Sequence, residues 1–178
     1  LRLEDSPAGQ SNLRDEALGL AAVTAFRLNN QSLARKYFEL RAALTDQKTS
    51  VKAFCYYRIA LTYWREVHEL VVRNGTIEND RLVVSRRTKD RAEIEQLIAG
   101  GLNSVDLTIR LVEAYPEAYN IRNLLYAESA LVEPDPEKSN SLRLLSIEAL
   151  NRSIELTEQA ALAGKKTEVA DFGQPTVR

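Results

Sequence analysis

Tyr56, Ile59, Ala60 and Tyr63 stand at steps of three, one and three: bulky, bulky, small, aromatic. Leu18, Ala21, Ala22 and Ala25 repeat those steps, and Ala34 follows Ala22 by twelve residues, with Phe38 four further on. The spacing is helical. The small residues carry the constraint, because backbones of crossing helices approach to about 8–10 Å only where side chains at the contact are short. An aromatic then fills the wedge at the open end. A chain with this pattern is bound to fold as closely packed helix hairpins.

The rest of the chain divides accordingly. Residues 1–10 read as an irregular lead-in. Leu13, Ala17, Leu20, Ala21, Thr24, Ala25 and Leu28 predict a first helix capped by Ser11 or Asn12 and broken at Asn29-Asn30. A second helix is expected over about 31–45, with Leu33, Tyr37, Leu40 and Leu44 on one side. A third runs over about 50–73 and stops at Asn74-Gly75. Residues 74–88 read as a loop, with Leu82–Val84 the only stretch suggesting a short element. Asp90 and Glu93 resemble a capping box that opens a fourth helix, loosened by Gly100-Gly101 and ended by Tyr115-Pro116. A fifth covers about 117–132. Asp135 and Pro136 start a sixth, which runs to about 162 and ends at Ala163-Gly164. Seven glycines and five prolines in 178 residues leave little turn chemistry for strands. The expected domain therefore spans 11–163, with hairpins at about 11–46, 50–116 and 117–163. Residues 164–178 are expected to form an extended tail.

This pattern resembles the tetratricopeptide repeat, a helix–turn–helix unit of about 34 residues. Later residues carry the same steps: Ser104, Thr108, Leu111 and Pro116 at four, three and five; Tyr119 and Tyr126 seven apart with Asn123 between; and Ala149, Ser153 and Leu156 at four and three. The resemblance implies an all-α, right-handed stack of about three antiparallel hairpins. It also implies that the first helix of each pair lines a concave groove. By that rule Val23, Phe26 and Arg27, then Phe54, Tyr57, Leu61, Trp64 and Arg65, then Asn120, Leu124 and Glu128 face a protein partner. Tyr56, Ile59, Ala60 and Tyr63 become core. The competing assignment for the stripe is burial under the lead-in or the tail. The long insertion at about 73–92 and the expanded loop at EPDPEKS resemble divergent repeat proteins of bacterial extracytoplasmic lineages, so a periplasmic or membrane-complex-associated location is favoured over the cytoplasm.

The functional expectation is a non-enzymatic interaction scaffold, or a peripheral subunit of a larger assembly. The alternative is a helical module whose aromatic stripe walls a small-molecule or cofactor pocket. Composition narrows the field. A net charge of −1 gives no global field toward nucleic acid or anionic lipid. No apolar run approaches the roughly 18 residues of a membrane span. The single cysteine, Cys55, has no internal disulfide partner. The chain begins at Leu1 and has no methionine, so the native start is expected to be missing. His68 is the lone histidine and is expected at the surface or groove edge. It lies about 20 Å along the helix from Cys55, too far for a nucleophilic pair. No metal or cofactor site is expected. The cluster Arg81, Arg86, Arg87, Lys89 and Arg91 could meet an acidic partner, but it reads more simply as a solvated loop. Other charges, such as Glu148 and Arg152, fit helical pairing on solvated faces.

Overall fold

The computed structural model describes residues 7–44, 47–78, 81–84 and 90–162. Six helices dominate: α1 (Pro7–Arg27), α2 (Gln31–Ala42), α3 (Thr49–Asn74), α4 (Arg91–Leu111), α5 (Pro116–Val132) and α6 (Pro136–Leu162). Each packs against the next in sequence, and α3 also lies against α5. Residues 1–6 and the tail from 163 onward lie outside the described residues.

Several local expectations are corrected. α1 starts at Pro7, ahead of Ser11 and Asn12, in keeping with proline's fit to the first helical position. Asn30 caps α2 by accepting a hydrogen bond from the Leu33 amide at 3.1 Å, after Asn29 takes a positive φ of 59°. α4 ends at Leu111, four residues before Tyr115. Asp90 precedes α4 but makes no side-chain cap bond. Its carboxylate instead accepts from Asn74 Nδ2 at 2.9 Å and Arg73 Nη2 at 3.2 Å, tying the end of α3 to the start of α4.

The insertion between α3 and α4 contains an antiparallel hairpin, β1 (Gly75–Glu78) and β2 (Arg81–Val84), with Thr76 opposite Val83 and Ile77 opposite Leu82. The β-branched and apolar residues that pair here are a strand signal, but four-residue strands are too short to stand out in the sequence. Val84 is buried, and β2 rests on α3 and α5.

Two core clusters meet along α3. The first joins Ala22, Ala25, Phe26, Ala34, Phe38, Ala42, Val51, Cys55 and Ile59. The second joins Ala60, Val67, Val71, Val84, Ile94, Val105, Ile121 and Leu125 with their neighbours. Within the three-one-three pattern, Ile59 and Ala60 are buried, while Tyr56 and Tyr63 are half-buried against the first cluster. The stripes expected for the first two helices are wrong in detail. Leu13, Leu20 and Leu28 are exposed, as are Leu33 and Leu40. The buried faces are Ala22, Ala25 and Phe26 on α1, and Gln31, Ala34, Phe38, Arg41 and Ala42 on α2.

Gly100 and Gly101 do not loosen α4; they permit contact. A Cβ at Gly100 would fall 2.8 Å from the Tyr63 ring, and one at Gly101 2.8 Å from Leu125 Cδ1 and 3.2 Å from Tyr63 Cβ. The glycines let α4 approach α3 and α5 together. Gly19 serves the same end on α1, where a Cβ would meet Arg41 Nη1 at 2.9 Å. That guanidinium is 3 % exposed and forks onto Asp15, with Nε donating to Oδ1 at 2.7 Å and Nη2 to Oδ2 at 2.9 Å. Gln47 also donates to Asp15. The hydrogen bond to Asp15 raises the Arg41 pKa, so the cation is held firmly.

Candidate partner-binding face

α3 carries Phe54, Tyr57, Arg58, Leu61, Trp64, Arg65 and His68 at steps of three and one, so they share one side of the helix. All but His68 are half-buried. Toward α1, Arg58 and Arg65 both lie over Phe26, with their Cζ atoms 4.2 and 4.0 Å from its ring centre. Toward α5, Tyr57 packs on Tyr115 at 5.5 Å between centroids, and Trp64 stacks on His68 at 5.4 Å. His68 Nδ1 lies 2.7 Å from Glu128 Oε1 on α5. The face therefore joins α1, α3 and α5.

Most of the residues expected there come together. Val23 and Phe54 pack on the first core cluster, Leu61 touches both, and Tyr57, Trp64 and Leu124 pack on the second. Phe26 is nearly buried, 8 % exposed, so it serves the face as a base under the two arginines. Arg27 and Asn120 are exposed. Arg58 was missed, although its position four after Phe54 and seven before Arg65 placed it on the stripe. Tyr115, expected only to mark a helix end, packs on Tyr57.

Glu128 departs from the expectation that carboxylates lie on solvated faces, being 8 % exposed. Its Oε2, the Arg58 Nε and the Trp64 Nε1 are buried without a hydrogen-bond partner among the described residues. Buried polar atoms are normally satisfied, because leaving one unpaired costs about 1–3 kcal/mol. Burial lowers the Arg58 pKa, and the nearby Arg65 and Arg27 charges lower it further. Burial likewise raises the Tyr57 and Tyr115 phenols.

The expected basic cluster does not form a described site. Arg86, Arg87 and Lys89 lie outside the described residues, as does the side chain of Arg81. Arg91 pairs with Glu95 at 2.6 Å. The Glu148–Arg152 pairing is replaced by Arg152–Glu155 at 3.2 Å. Asn123, which stands where the repeat pattern has a small residue, accepts a hydrogen bond from Ser146 of α6 at 2.6 Å. An open cleft of about 700 Å³ lies between α5 and α6, lined by Tyr119, Tyr126, Leu144, Ile147, Arg152 and others, and it includes no residue of the α3 stripe.

Cys55 is fully buried in the first core cluster. Burial pushes its thiol up to about 12, with the Arg41 charge pulling the other way. The thiolate is the reactive form, so native protein at pH 8 is expected to resist iodoacetamide and to label fully in denaturant. Rapid labelling of the native state would contradict this packing. Among the described residues no group of three or more His, Cys, Asp and Glu side chains could hold a metal ion, and no helix is long and apolar enough to cross a membrane.

No protein-family model matches the chain, and neither characterised proteins nor solved structures give a significant match.

Proposed function

We propose that the protein is a non-enzymatic, tetratricopeptide-like interaction scaffold, or a peripheral subunit of a larger assembly, that binds a protein partner on the face shared by α1, α3 and α5. One observation carries this reading. The face presents half-buried aromatic and arginine side chains, and three of its buried polar atoms lack partners within the described residues. Trp, Tyr and Arg in such surroundings are the residue types that anchor interfaces. The sequential pairing of helices supports the repeat-like reading, since stacked hairpins hold such a face rigid. The alternative is a small-molecule module walled by the stripe.

The test is a pull-down from the native source with wild-type bait and a Trp64→Ala, Arg65→Glu double variant, both checked for helicity by circular dichroism. A stoichiometric protein partner retained by wild type and lost by the variant is expected. A partner held equally by both would move the binding face elsewhere. Failure of wild type to retain any protein would count against the scaffold reading.

A further inference from the structure

The described arginines follow a simple division. Arg35, Arg41, Arg73, Arg91, Arg122 and Arg152 each pair with a carboxylate. Arg14, Arg27, Arg110 and Arg143 have no carboxylate partner among the described residues and are exposed to solvent. Arg58 and Arg65 alone among the described residues are half-buried arginines without a carboxylate, and both sit over Phe26.

Arg58 is the sharper case. Its guanidinium lies over Phe26 and, at 5.7 Å, over Phe38, and its buried Nε has no hydrogen-bond partner among the described residues. Stacking on a ring favours the cation but leaves its N–H donors unfilled. Arg65 makes one long contact, Nη1 to the Phe26 carbonyl at 3.5 Å. Two like charges thus share one aromatic support, and among the described residues no carboxylate pairs with either. Both side chains keep some exposed surface, but a buried donor left unpaired, as Arg58 Nε is, costs stability, so a purely structural role does not account for the arrangement.

We propose that Arg58 and Arg65, with Arg27 at the rim, form a docking site for an acidic peptide segment of a protein partner, whose Asp or Glu carboxylates fill the vacant guanidinium donors. The proposal rests on the scaffold reading above and specifies the partner's chemistry. The planes are already held by the ring, so a carboxylate gains paired hydrogen bonds with little ordering cost. The opposite side of the stripe sets the rest of the ligand. There Glu128 offers an unpartnered oxygen, and Trp64 offers an unpartnered N–H. A polyanion such as nucleic acid would be repelled by Glu128. A peptide with a carboxylate toward α1 and an N–H donor toward α5 complements both sides.

The experiment pans a random twelve-residue phage-displayed peptide library on the full chain. Enriched peptides are then synthesised with a fluorescein label, and their binding is followed by anisotropy. Enrichment of Asp and Glu is expected, with affinity falling about tenfold or more in Arg65→Gln and in Arg58→Met, and falling with added salt. Arg58→Met keeps the stem packed on Phe26 and removes the unpaired charge, so its melting temperature should equal or exceed wild type. A structural role for the guanidinium predicts the reverse. Arg65→Glu should redirect selection toward Lys- and Arg-containing peptides. Peptides without acidic enrichment, or acidic peptides unaffected by either arginine substitution, overturn the proposal. If those peptides still depend on Trp64, the scaffold reading survives alone. Failure to select any peptide overturns the proposal, while the pull-down decides the scaffold reading separately.

Discussion

Asp15→Ala is expected to lower the unfolding free energy by about 3–5 kcal/mol. The loss arises less from the ion pair itself than from what remains. Arg41 is 3 % exposed, and its two donated bonds to Asp15 run at 2.7 and 2.9 Å. Deleting the carboxylate strips two charge-assisted hydrogen bonds from a buried guanidinium, which is threaded past Gly19 in a slot too tight for a Cβ. Because the whole stability of a domain this size is on the order of 5–15 kcal/mol, the variant would sit near its folding threshold. Urea titration followed by far-ultraviolet circular dichroism measures the change. The double variant Asp15→Ala, Arg41→Met should recover much of the loss, since replacing both partners removes the stranded charge. A single variant that unfolds within about 1 kcal/mol of wild type would show that water reaches Arg41 freely.

Phe38→Ala should cost a similar amount, about 3–5 kcal/mol. Phe38 is fully buried and meets Phe54 edge-on, with centroids 6.3 Å apart and planes at 78°. Its neighbours Ala22, Ala25 and Ala34 are already small, so they cannot extend to fill the void. The same titration reads the effect, and Phe38→Leu should lose clearly less. Equal losses in the two variants would mean that the site depends on the aromatic ring rather than on filled volume.

The two predictions differ in how visible their residues are in the sequence. Phe38 is legible: the step of four from Ala34 predicts a packed aromatic, and Phe38 is fully buried in the first core cluster. Asp15 and Arg41 are not, because they stand 26 residues apart and become partners only when α1 and α2 close on each other. The same closure explains the misjudged leucines. α1 holds two apolar stripes, and the chain uses the one with Ala22 and Ala25 because short side chains allow the nearer approach. Leu13, Leu20 and Leu28 are left outside. Glycine misleads for a related reason. A Gly-Gly pair costs helix propensity, which is a local quantity, while its benefit at Gly101 depends on Leu125 in the next helix. Of the candidate face, the aromatic stripe is legible from periodicity on α3. Glu128 and Arg58 acquire their character only through burial and the absence of partners, which a single helix pattern does not encode.

The order in which the helices touch also bears on how the chain acquires its structure. Every substantial helix contact joins neighbours in sequence, apart from α3 with α5, and that pair is separated only by α4. Few residues must be searched before each contact rewards the loop closure that precedes it, so the topology favours rapid folding. It also lets α1 and α2 close on each other while α5 and α6 are still being synthesised, so the chain can settle hairpin by hairpin from its N-terminal side.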